Sequence, residues 1–332
     1  MGSILKLRPQ GREFSLAIIL FFAIAVTTAI NPRFLTGAGT RDLLTSVSVV
    51  GLLAVGLAPI LIMRHIDISI ASTVGISAWY VADILAKNPD FTVAQAFVIG
   101  PLIGIAVGIL NGFLVAGLRL PSLVVTLGTL YIVRGVDYVF SNSVDYNAHE
   151  MPKSLVDLGL RAYFGIIPFT FILVLIAALA VAWFMKYTKA GRDCYAIGSN
   201  PVAADLVGIN VFRRTFLVFV FSGGMAGLGG VFYLMRFAQV DPTAFYGQEL
   251  AVVAAVVIGG VSINGGIGTV IGAGIGALLV ETIQSGLAAL GVDAFWKQAI
   301  NGLLLIIAIY ADRVFARRGE QTLLAQRIKD RA

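Results

Sequence analysis

Apolar residues in this chain fall in long blocks, and ten such blocks predict ten helices: about 14–30, 43–63, 66–86, 91–118, 120–140, 163–187, 215–235, 249–263, 267–290 and 295–311. Most approach the ~20 residues that a helix needs to cross the ~30 Å hydrocarbon layer of a bilayer. Block 66–86 is the most diluted, by Asp67, Asp83 and several small polar residues, a mixture better suited to a span packed inside protein than to one facing lipid. Two long polar stretches separate the blocks, 141–162 and 188–214. The second carries helix signals of its own: Asn200 can cap an N-terminus, Pro201 then falls at the first helical position, and Gly208 stands where a short helix stops. Ala203 and Ala204 leave that helix a low-bulk side that another protein could approach closely.

Composition agrees with the pattern. Apolar residues make up 58% of the 332 and charged residues only 13%, far below the roughly one-quarter charged fraction of soluble domains. The reading is an all-α, polytopic membrane protein of about ten transmembrane helices, with a single transmembrane domain over residues 1–332. A formal charge of +6 could suit nucleic acid, but the basic residues border apolar blocks, where a topological bias explains them better. Lys6, Arg8 and Arg12 followed by an apolar run resemble a secretory signal. The run continues past Ala23 and Ala25 to Ile30 and the helix-stopping Asn31-Pro32, so a retained first span is expected. Cys194 is the single cysteine, which rules out an intrachain disulfide framework or a cysteine metal cluster.

Lys and Arg then orient the chain. With a cytoplasmic N-terminus and ten crossings, sixteen basic residues fall inside and seven outside, with Arg134 within a span. The bias predicts an N-in/C-in topology. Stretch 188–214 becomes a cytoplasmic loop, and the acidic loop 141–162 faces out. Gly100, Gly104, Gly108 and Gly112 recur every four residues, as do Gly268, Gly272 and Gly276, and Gly223 and Gly227 repeat the spacing. Such stripes let helix backbones approach closely, either for static packing or for the sliding that a transporter requires.

Motifs for covalent chemistry are absent. The glycine-rich 259–266 lacks the G-x-x-x-x-G-K-[ST] pattern of a phosphate loop, and His65 and His149 have no metal-ligand spacing. No nucleophile elbow occurs. Intramembrane ionisable residues remain: Arg134 and Asp137, three apart on one helix face and close enough to pair, and Glu281, three before Gln284. Asn111, Thr126, Thr129, Gln284 and Asn301 supply the hydroxyl and amide groups that a sugar path would use, or else join helices to one another.

Ala203-Ala204-(x)3-Gly208 matches the core of the E-A-A-x-x-x-G loop by which permeases of ATP-binding-cassette importers engage their ATPases, with Val202 in the glutamate's place. Four further stretches accompany it: Ile66-Asp67-Ile68-Ser69; Leu120-Pro121-Ser122 through Thr126-Leu127-Gly128-Thr129 to Arg134-Gly135; Gly191-Arg192 through Ala196–Asn200 to Gly208-Ile209; and Glu249 through Ile258-Gly259-Gly260 to Gly265–Thr269. On these residues the chain resembles the ribose, xylose and autoinducer-2 permease family. The resemblance implies a permease of a bacterial inner membrane that moves a monosaccharide, a small polyol or autoinducer-2 by alternating access. It implies a second permease copy or sister permease, ATPase subunits that hold ATP and Mg²⁺, a periplasmic sugar-binding protein, and no cofactor or catalytic residue in this chain. Asn200, Pro201, Ala203, Ala204, Gly208 and Ile209 would form the ATPase-coupling element, flanked by Arg192 and Asp193. Alternatives are a branched-chain amino-acid permease of similar architecture, or an ion-coupled secondary transporter using Asp137 or Glu281 as its coupling carboxylate.

Overall fold

The computed structural model describes residues 10–310 and 313, except 89, 294, 295 and 297. Lys6, Arg8 and the basic residues beyond 313 lie outside the described set. Helix α1 covers Gln10–Ile30, α2 Gly37–Ile62, α3 Ile70–Lys87, α4 Val93–Gly112, α5 Ser122–Ser141 and α6 Lys153–Leu160. A two-stranded antiparallel hairpin follows, β1 Ala162–Tyr163 and β2 Ile167–Pro168. Then come α7 Phe169–Tyr187, α8 Lys189–Ser199, α9 Pro201–Leu206, α10 Val211–Phe237, α11 Glu249–Ile258, α12 Val270–Ala289 and α13 Gln298–Tyr310. A π-helical turn, Phe113–Gly117, extends α4. The helix starts follow from short-range chemistry: Thr92 and Gln95 close a capping box on α4, and Thr36, Thr188, Asn210 and Thr269 each accept a backbone N–H at the head of a helix.

Six of these helices are long and apolar enough to cross a membrane: α2, α4 with its π turn, α5, α7, α10 and α12. The chain is a multi-pass membrane protein. Helix α2 lies at the centre, its apolar stretch 94% buried, with α7, α10, α11 and α12 packed around it and α3 packed on α10, α4 and α5. Block 66–86 divides: Ile66 to Ser69 is a non-helical link, and the helix begins at Ile70. The first half of α3 is buried throughout, which accounts for its polar content.

Block 249–263 also differs from a full helical span. Helix α11 has 10 residues, about 15 Å of helix at ~1.5 Å per residue, half of a ~30 Å hydrocarbon layer. The chain nevertheless runs from one end of α3 to the other. Val240 pairs with Tyr146, whose hydroxyl donates to Asp83 near the end of α3, whereas Gly266 N–H donates to the Ile62 carbonyl at 2.8 Å, beside the start of α3. A half-helix with irregular flanks is tolerated at membrane depth because protein surrounds it, and Ala251–Val257 are all buried.

The glycine stripes act as seams. A Cβ placed on Gly104 would strike the Gly223 carbonyl, one on Gly100 the Gly227 carbonyl, and one on Gly108 the Phe219 carbonyl, so α4 and α10 meet backbone to backbone. Gly272 and Gly276 bring α12 equally close to Gly259 and Ala255. Gly268 belongs to a turn, at φ +137° against Val261, and not to this seam.

Candidate functional site

Helices α8 and α9 are built as the cap residues require. Thr188 accepts the Gly191 N–H at 3.0 Å, and Asn200 Oδ1 accepts the Ala203 N–H at 3.0 Å. Gly208, at φ +82°, ends α9, its N–H donating to the Asp205 carbonyl while Ile209 N–H reaches the Ala204 carbonyl at 3.0 Å. Nothing stands within 4 Å of a Cβ built on Gly208, so backbone conformation and not crowding calls for glycine there. Arg214 clamps the element to the foot of α10 through a forked pair with Asp193, at 2.9 and 2.7 Å. Burial pushes the Cys194 thiol up to about 11, and an inert thiol in this loop follows.

The orientation of α9 differs from the expected one in a useful way. Ala204 is buried against the protein itself, so the low-bulk side partly faces inward. The outward face carries Val202, Leu206 and Val207, exposed to 70%, 83% and 76%. Leu206 and Val207 had no motif to announce them. A helix of six residues has no periodicity long enough to assign its faces.

The inner side of this element meets the bundle through backbone. A Cβ on Gly198 would overlap the Ile62 carbonyl and approach Gly266 N within 2.6 Å. Tyr195 hydroxyl donates to the Gly268 carbonyl at 2.9 Å. The end of α2, the 64–69 link, the glycine loop 259–269 and α8 thus form one junction, and Arg64 Nε donating to the Asn264 carbonyl ties two of these parts together.

Two of the proposed path residues belong to that junction. Asn111 Nδ2 donates to Ser69 Oγ at 2.8 Å, and Ser69 donates to Asp67 Oδ1 through its hydroxyl at 2.6 Å and its N–H at 3.0 Å. Thr126 Oγ1 donates to the Ile66 carbonyl at 3.2 Å, and Ile66 N–H donates to Ser122 Oγ at 3.1 Å. Asn111 and Thr126 therefore hold the 66–69 link against α4 and α5. Thr129 returns its hydroxyl to the Val125 carbonyl of its own helix at 3.1 Å. Gln284 Nε2 donates to Asn301 Oδ1 at 3.0 Å, joining α12 to α13. All five are buried, Asn111 and Thr126 at the junction, Gln284 and Asn301 between α12 and α13, and Thr129 along α5.

Arg134 and Asp137 do not make the expected pair. Arg134 Nη1 donates to the carbonyls of Ala244 at 2.9 Å and Pro242 at 3.3 Å, in space left by Gly75 of α3. The arginine pins the 238–248 loop to α5 and α3 through two carbonyls 108 and 110 residues distant in sequence. Asp137 is 0% exposed, and neither of its carboxylate oxygens has a hydrogen-bond partner. Glu281 is buried on α12, within electrostatic reach of Arg236.

A bundle of apolar helices with glycine seams, a half-helix at membrane depth and an exposed capped helix beyond the spans defines a membrane permease component. Residues 39–309 match the family described as branched-chain amino acid transport system / permease component, and the chain belongs to that family. It is 33% identical to the autoinducer 2 import system permease protein LsrC of Enterobacter sp. (strain 638) over 303 residues, 91% of this chain and 87% of that protein. It is 32% identical to the L-arabinose ABC transporter permease protein AraH of Azospirillum brasilense over 296 residues, 89% and 85% of the two chains. Identity to the ribose import permease protein RbsC of Escherichia coli (strain K12) is 31% over 300 residues, 89% of this chain and 92% of that one. No solved structure matches the chain.

Proposed function

We propose that this chain is the transmembrane permease subunit of an ATP-binding-cassette importer for a monosaccharide, a related small polyol or autoinducer-2, in a bacterial inner membrane. The relatives named for autoinducer 2, arabinose and ribose favour this substrate class over the branched-chain amino-acid alternative, which rests on the family description alone. An ion-coupled carrier loses its support in the same way, since AraH is named an ABC transporter permease. The chain catalyses no covalent step. ATP and Mg²⁺ belong to partner ATPases, the solute arrives on a periplasmic binding protein, and a second permease copy or sister permease completes the pathway. Ten crossings place both termini, stretch 188–214 and the 62–69 junction in the cytoplasm, with loop 141–162 outside.

The observation that carries the proposal is the exposed apolar face of α9, formed by Val202, Leu206 and Val207 on a helix capped at both ends. Exposed apolar side chains clustered on a rigid element mark a docking surface. Asn200, Pro201, Ala203, Gly208 and Ile209 hold its shape, and Ala204 anchors it inward. Movement of a docked ATPase then reaches the bundle through Gly198, Ile62 and Gly266, and a shift of that junction alternates access to the solute.

Leu206→Glu tests docking. Placing a charge at the centre of a desolvated contact is expected to weaken co-purification of the ATPase by roughly thirtyfold or more, from a loss of at least ~2 kcal/mol at a hot spot, while membrane insertion stays normal. Undiminished ATPase capture by the variant counts against the proposal. Transport in sealed vesicles separates the energy sources: ATP supports uptake and an ionophore leaves it unchanged.

A further inference from the structure

The β1–β2 hairpin is not used by the docking scheme. Phe164 at φ +53° and Gly165 at φ +73° turn its tip, and Phe164 is 93% exposed, with Tyr163 and Ile166 also exposed beside it. The hairpin opens directly into α7, whose apolar stretch is only 28% buried within this chain and so leaves an apolar face free for lipid. With 19 residues, α7 is about 28 Å long at ~1.5 Å per residue, close to the ~30 Å hydrocarbon thickness. Its far end carries exposed Trp183 and Tyr187. Aromatic side chains thus bracket α7 at the two depths where membrane proteins concentrate them.

Behind the hairpin lies a cleft of about 300 Å³ lined by Arg41, Asp42, Thr45, Arg161, Arg236 and Phe237, among others. Three arginines line it, from α2, the start of the hairpin and the end of α10. Arg161 lies over the Tyr163 ring at 5.5 Å and Arg236 over the Phe237 ring at 4.6 Å, so aromatic faces fix the directions of two of the forks. Asp42 and Glu281 offset part of the charge of Arg236, and the lining still carries three cations against the single carboxylate of Asp42. Planar guanidinium forks gathered at one cleft favour a phosphate group.

We propose that the cleft holds the phosphate of an anionic phospholipid whose acyl chains run along α7 beside the Phe164 tip. The inference rests on the multi-pass membrane reading and is independent of the transported solute. Charge alone would also suit a free phosphate or an acidic protein surface. The apolar tip and its place at the rim of a lipid-facing helix favour the lipid.

The test uses the full chain reconstituted in phosphatidylcholine vesicles. Cys194 is buried and inert, so Phe164→Cys accepts a bimane fluorophore selectively. Equal small fractions of brominated phosphatidylglycerol or brominated phosphatidylcholine are then compared as quenchers. Stronger quenching by the phosphatidylglycerol is expected, and Arg41→Gln or Arg161→Gln should each weaken that preference about fivefold, the effect of one basic residue near an anionic surface. Arg161→Lys, which keeps the charge and loses the fork, should retain part of it and guards against misfolding of the neutral variant. Equal quenching by the two lipids overturns the proposal. So does a preference abolished by inorganic phosphate, which would assign the cleft to a free anion. A label that is unquenched in vesicles and shielded only on addition of the soluble binding protein would assign the hairpin to a protein contact, with the same consequence.

Discussion

Two buried polar sites flank α3, and they are built in opposite ways. At its start, Asp67, Ser69 and Asn111 form a chain of donors and acceptors, and Ile66 exchanges bonds with Ser122 and Thr126. Farther along, Arg134 spends its Nη1 on two loop carbonyls, and Asp137 is left with both oxygens unpartnered. Apart from Asn111 Oδ1, which has no partner, the first network is paired, and a paired network in a low dielectric is stiff, because every displacement breaks a bond that water cannot replace. A buried carboxylate without donors is under the opposite pressure, since any rearrangement that supplies a donor lowers its energy. The first site lies against the junction with α8, where stiffness passes motion on; the second lies at the end where the 238–248 loop meets α5, where there is something to gain by moving.

The contrast is broken most severely at the junction itself. Gly198→Ala drives a methyl into the Ile62 carbonyl, and since both contacts are backbone the strain has no flexible side chain to absorb it. An overpacking loss of about 3 kcal/mol and at least a tenfold fall in transport are expected, measured by melting in detergent and by uptake in vesicles. Ser69→Ala comes next. It strips Asn111 Nδ2 of its acceptor and Asp67 of a donor, and about 2 kcal/mol of destabilisation is expected from the groups left unpaired. Breaking the Arg214–Asp193 fork by Arg214→Gln, at a partly exposed site, should lower stability by about 1 kcal/mol and loosen α8, read as faster proteolysis within 188–214. Asp137→Asn should be the mildest, within about 1 kcal/mol of the parent, because no hydrogen bond is lost. A fall as large as that of Ser69→Ala would show that Asp137 is as well served as Asp67, and the comparison would fail.

Much of the fold was legible along the chain because its signals are local. Blocks of apolar residues mark helices wherever water is excluded, caps such as Asn200 and Thr188 act within three residues, and the four-residue spacing from Gly100 to Gly108 states that a backbone will come close. Those features act through neighbours in sequence, and the structure contains them where they were expected, apart from the non-helical 66–69, 163–168 and 259–263 within the apolar blocks. The exposed side of α9 was less legible: the motif pointed to Ala203 and Ala204, while the apolar face belongs to Val202, Leu206 and Val207. The Arg134–Asp137 pair was the natural reading of a three-residue spacing, and tertiary structure replaced it with carbonyls more than a hundred residues away.

The sequence by itself determined that this is a multi-pass helical membrane protein, where its short capped helix α9 begins and ends, and which permease family it belongs to, since composition, capping and motif order need no partner to be read. Only the tertiary structure decided that α11 is a half-helix, that Asn111 and Thr126 fasten the 66–69 link, and that Gly198 sits on the end of α2. It also decided that three arginines from distant segments share one cleft behind an aromatic tip. The physical reason is common to all four. Each depends on which backbone carbonyl, charge or ring lies across a gap of a few ångströms, and in a folded bundle that neighbour is chosen by the packing of whole helices.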